Sequence, residues 1–173
     1  MTSMRRPATA ALAALLLAAG CTLQSSPDGN PATGANLAGA WRSSVQFSEG
    51  LLAPMKDLEF LYAFNGSGTM TESSNYDEAP PVTPAYGVWR QMAPNRFEAK
   101  YVFYNTKPPA KVQEIAAGGG WLPSGRGVLT ETFTLAADGQ AYESTIAMEM
   151  FDGAGKPMAG GGHAKGHGTR IQF

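Results

Sequence analysis

Glu131 and Arg90 stand at positions where the alternation of a β-strand would turn a charge inward. In residues 127–135, GVLTETFTL, Glu131 shares a face with Leu129, Phe133 and Leu135, and in residues 86–92, YGVWRQM, Arg90 shares one with Tyr86, Val88 and Met92. A lone charge in an apolar interior is costly, whereas an acid and a base together are tolerated. The two are therefore expected as an inward pair that orients the polar head of a ligand or takes part in acid–base chemistry. The competing reading turns the Thr face of the first segment and the Trp89 face of the second inward, because a one-residue slip exchanges the faces, or leaves either residue at a barrel rim in water. Tyr62, Tyr101 and Trp121 complete the candidate ligand-binding set. The two tyrosines lie on apolar strand faces. Trp121 lies in a long connection, residues 105–125, where it would serve as a lid over a cavity or plug the barrel.

Other constellations carry less chemistry. The two histidines, His163 and His167, are four residues apart, a spacing that joins their imidazoles only on a helix. Five glycines between residues 160 and 168 disfavour that helix, so a loop with two exposed histidines is expected. Two ligands are too few for a tight zinc site, and no metal is expected. There is no Gly-X-Ser-X-Gly elbow, and Gly118-Gly119-Gly120 lacks the following helix that a phosphate cradle needs. No cofactor is expected.

The N-terminus says where such residues would work. Arg5 and Arg6 precede an uncharged run from Pro7 to Gly20, too short for the roughly 20 residues of a bilayer span. Its charged start, apolar middle and small-residue end have the form of a secretory signal. The segment closes with Leu17-Ala18-Ala19-Gly20-Cys21, which resembles the lipobox of bacterial lipoproteins, with Ala18 where leucine is commoner. The resemblance implies cleavage before Cys21 and its modification by a diacylglyceryl thioether and an N-acyl chain such as palmitate. Two or more chains suffice for stable membrane attachment. Thr22 in place of Asp points, by the same resemblance, to the outer membrane facing the periplasm.

Cleavage would leave 153 residues, one domain's worth, and 11 basic against 14 acidic residues, a net charge of −3. That balance disfavours nucleic acid and anionic bilayer surfaces, which are bound through clustered Lys and Arg. Cys21 is the only cysteine, so no internal disulfide can form. The expected organisation is a signal peptide over 1–20, a Ser/Pro/Gly-rich tether over 21–36 and a folded domain over 37–173.

The elements that must position the candidate residues are strands. Trp41, Val45 and Phe47 alternate with polar neighbours, as do Leu58, Phe60, Tyr62 and Phe64 before the turn residues Asn65-Gly66-Ser67-Gly68. Phe97, Ala99, Tyr101 and Phe103 form a third face after a turn at residues 93–96. Tyr142, Ile146, Met148 and Met150 form another after the Asp138-Gly139 turn. With a last strand over HGTRIQF, residues 167–173, the count is about eight. A short helix over 111–117 is the only helical candidate. Antiparallel neighbours must hide their edges, and closing an eight-stranded sheet does so most completely.

The segment Asn36-Leu37-Ala38-Gly39-Ala40-Trp41 resembles the Gly-X-Trp start of lipocalin-like and related calycin barrels, with Arg170 as a loose match to the arginine of the last strand. The chain leaves no room for the helix that often follows the lipocalin strands, so an allene-oxide-cyclase-like barrel is an alternative of the same class. The resemblance implies an all-β antiparallel barrel, plugged at one end by the tryptophan and open at the other to a small apolar or amphipathic ligand. Two alternatives stand beside ligand binding. One is an isomerase or cyclase that uses Glu131 and Arg90. The other is a filled structural or inhibitory barrel that binds another protein.

Overall fold

A computed structural model describes residues 36–77, 82–111, 113 and 120–173. The signal and nearly all of the tether, Cys21 included, lie outside the described residues, as does most of the helix expected over 111–117.

Eight strands form one closed antiparallel barrel in simple sequence order: β1 (Gly39–Phe47), β2 (Glu59–Phe64), β3 (Thr69–Ser74), β4 (Ala85–Ala93), β5 (Arg96–Lys107), β6 (Leu122–Leu135), β7 (Ala141–Asp152) and β8 (Pro157–Arg170). The barrel closes where β1 pairs with β8, from Trp41 opposite Arg170 to Phe47 opposite Ala164. The period-two pattern sets the inner faces. On β1, Trp41, Ser43, Val45 and Phe47 are buried, and each alternates with an exposed residue.

The two ends of the barrel differ because their connections differ. At one end the turns are short. Asn65 accepts hydrogen bonds from the backbone N–H groups of Ser67 and Thr69 through its side-chain oxygen. Asn95 takes the left-handed conformation that asparagine tolerates. Gly139 donates its N–H to Ala136. This end is filled by rings: Trp41 and Phe133 each lie 5.0 Å from Tyr142, and Phe64 lies 5.4 Å from Phe133. Trp41 is wholly buried, and its indole N–H donates to the Leu37 carbonyl at 2.8 Å. The Arg170 guanidinium covers the Trp41 ring at 4.2 Å and donates to the carbonyls of Asn36, Ala38 and Gly139. At the other end the connections over 48–58, 75–84 and 108–121 are long.

Four strands depart from expectation. β8 begins at Pro157, so the glycine-rich segment is strand and both histidines stand on it rather than in a loop. Glycine is weak in strands because it packs nothing. Here Gly166 and Gly168 face inward, and the space that their side chains would occupy is taken by Ser144 and Tyr142 of β7. The strands on either side of the 108–121 connection also run further than the sequence indicates, so that β5 reaches Lys107 and β6 starts at Leu122. In β4 the faces are reversed. Ala85 and the half-buried Gly87 and Trp89 turn inward, leaving Tyr86, Val88, Arg90 and Met92 exposed. The apolar residues on its outer face pointed the alternation the wrong way.

Candidate functional site

At the end opposite Trp41 the interior widens into a cavity of about 370 Å³. Phe60, Leu129 and Met148 line it from the strands, and Leu52 and Met55 from the 48–58 connection. The apolar strand residues are there by alternation. Leu52 and Met55 pack against the same core from a segment whose turns are closed by backbone hydrogen bonds, Ala53 to Gly50 and Met55 to Leu52.

Glu72 of β3 opens onto this cavity and is only 6 % exposed. It follows Met70 on the inner face of the strand, two residues on. No described residue makes a hydrogen bond or ion pair with its carboxyl. Burial pushes that carboxyl well above the usual carboxylate range, and the negative charges of Asp77 and Glu131 push it further. Asp77 lines the same wall, and its carboxylate accepts from the Ser74 backbone N–H at 2.9 Å and the Ser74 hydroxyl at 2.6 Å.

Glu131 also points inward and is fully buried. Its Oε2 accepts hydrogen bonds from the Tyr101 hydroxyl at 2.6 Å and the Tyr62 hydroxyl at 2.9 Å. Burial raises its carboxyl to about 7, opposed by the hydroxyls of Ser144, Tyr101 and Tyr62. Ser144 approaches closely enough to favour the charged form, although its hydroxyl and Glu131 Oε1 do not align as a hydrogen bond. Both tyrosine hydroxyls are raised well above their ordinary range, chiefly by burial and then by the charge of Glu131, so they stay protonated as donors. The carboxyl and its two tyrosines are absent from the cavity lining.

The structure thus brings together three of the five residues expected to bind ligand. Glu131, Tyr62 and Tyr101 form one buried cluster. Arg90 belongs elsewhere: it is exposed, and its Nε and Nη2 donate to Glu98 on β5 at 3.0 and 2.6 Å. The expected inward pair of Arg90 and Glu131 does not form, because β4 turns its other face to the core. Trp121 is 43 % exposed and lies outside the cavity lining, so it does not plug the barrel. His163 and His167 point outward, where each ring meets a carboxylate, Glu49 at 2.5 Å and Glu143 at 2.7 Å. Among the described residues no group of three or more His, Cys, Asp or Glu converges as metal ligands.

Glu72 and Asp77 were missed from sequence. A signal for Glu72 existed, since Met70 and Glu72 alternate with Thr69 and Thr71. Asp77 lies beyond the strand, where periodicity is silent. No protein-family model matches the chain, and a search of curated proteins finds no significant match.

Proposed function

We propose that this protein binds a small, largely apolar molecule with a polar head in the cavity at the wide end of its barrel. The observation that carries this reading is an apolar-walled space of about 370 Å³ with a buried carboxyl on its wall, Glu72, that has no hydrogen-bond or ion-pair partner among the described residues. Small-molecule sites are concave and mostly apolar, about 300–1,000 Å³ in volume, with a few placed polar groups. The clamp of Arg170 on Trp41 supports the likeness to calycin barrels, whose closed end takes this form. The filled, structural reading loses ground to the cavity. The isomerase or cyclase reading loses its acid–base pair, because Arg90 is outside and Glu131 lies apart from the cavity.

The barrel works, on this reading, at the bacterial cell envelope, held by a lipidated Cys21 to the outer membrane on its periplasmic side. The charged start, the apolar run and the small residues before Cys21 support it. Binding is tested by native mass spectrometry of the chain lacking residues 1–20, together with titration of the neutral probe 1-octanol. A co-purified small molecule or saturable, one-to-one octanol binding supports the cavity function. A ligand-free protein that octanol does not bind contradicts it.

A further inference from the structure

Resting on that cavity reading, we propose that the ligand is a cationic amphiphile, an apolar body bearing a protonated amine whose ammonium group meets Glu72 with Asp77 alongside. Charge and geometry argue for it together. The lining contains two carboxyls, and among its described residues there is no Lys, Arg or His. The remaining polar groups there include Ser74, Thr83 and Asn105, which are uncharged.

The groups that act on Glu72 from neighbouring elements have the same sign or are neutral. Asp77 and, deeper, Glu131 of β6 oppose its ionisation. Tyr62 of β2 and Tyr101 of β5 feel its charge and stay neutral. Asp77 already accepts both hydrogen bonds that Ser74 offers, whereas the Glu72 carboxyl meets no donor among the described residues. A buried carboxyl without a partner is costly to ionise. An ammonium supplies the missing counter-charge and up to three donors at once. A fatty-acid carboxylate would bring a further acidic group to the same wall, and a neutral alcohol would supply no counter-charge.

Burial and the negative charges of Asp77 and Glu131 favour the protonated form of Glu72. An ammonium beside it favours the ionised form, and any proton it displaces leaves to solvent.

The test uses three probes with one apolar body: 1-octylamine, 1-octanol and octanoate, titrated calorimetrically at pH 7.5 into the chain lacking residues 1–20. The expected order has octylamine at least tenfold tighter than octanol, with octanoate weakest. Glu72→Gln is expected to lower octylamine to the level of octanol. Octanol or octanoate binding the wild type as tightly as octylamine overturns the amine proposal and leaves the cavity function standing. Failure of all three to bind overturns both. If Glu72→Gln does not fold, Asp77→Asn and the wild-type series still decide: Asp77→Asn weakens octylamine alone if the proposal holds, and an unchanged preference contradicts it.

Discussion

Tyr101 donates a 2.6 Å hydrogen bond to Glu131 in the barrel interior, where neither side chain meets solvent. The carboxyl is raised from 4.5 to about 7, so between those values the folded chain holds a proton that the unfolded chain releases. Stability from this group is therefore fully present below 4.5 and is lost as pH rises through about 7. At 1.36 kcal/mol per unit the loss is about 3 kcal/mol. Glu131→Gln, which keeps an acceptor for the tyrosines and cannot ionise, flattens that decline. Urea unfolding from pH 4.5 to 8 measures it. An unchanged slope in the variant would place the titration elsewhere.

Arg170 joins Trp41, the N-terminal segment and the β6–β7 turn at the closed end. Hydrogen bonds from a charged donor contribute about 1.5–3 kcal/mol each, and stacking on the indole adds about 0.5–2. These are not additive, and the guanidinium is partly solvated. Arg170→Ala is expected to cost about 2–4 kcal/mol in total, with Arg170→Lys intermediate, because lysine keeps the charge and loses the fork. The readout is the denaturation midpoint at constant m-value.

Gly168 marks a close approach between strands. A methyl group there would meet the Tyr142 ring and lie 2.6 Å from its hydroxyl, so Gly168→Ala is expected to destabilise by about 1–3 kcal/mol. Gly66 has open space around it, and Gly66→Ala is the matched control, expected to change stability by less than about 0.5 kcal/mol. Equal melting temperatures for the two variants would contradict the packing described for β7 against β8.

Attachment through Cys21 predicts that Cys21→Ser moves the full chain from the membrane pellet to the soluble envelope fraction. Cell fractionation with immunodetection reads the result. Retention of the variant in the pellet would assign the anchor to another segment.

Most of the barrel was legible in the sequence because inner and outer faces differ in polarity. Phe60, Tyr62 and Phe64 on β2, and Leu129, Glu131 and Phe133 on β6, alternate cleanly and were turned the right way. β4 failed for the same physical reason that β2 succeeded. Its outer face carries Tyr86, Val88 and Met92, so periodicity reported a face without saying which side it was. β8 was shortened because glycine reads locally as a breaker, while its inner glycines are set by Tyr142 and Ser144 across the pair, a relation that only the register reveals. Of the candidate site, Glu131 and its tyrosines followed from alternation. The cavity did not, since it depends on Leu52, Met55 and Asp77 in connections that carry no period.

A ligand held at the wide end of the barrel, as proposed, is displaced when the cavity is filled. Met148→Trp sets a bulkier side chain into the space among Phe60, Leu129 and Met150. Parallel calorimetric titrations of 1-octanol into wild type and Met148→Trp, both checked for retained β-structure by circular dichroism, give the comparison. Saturable, one-to-one binding to the wild type and a loss of at least tenfold in the variant are expected. Equal affinity in the two proteins, or no saturable binding to either, would contradict the proposal.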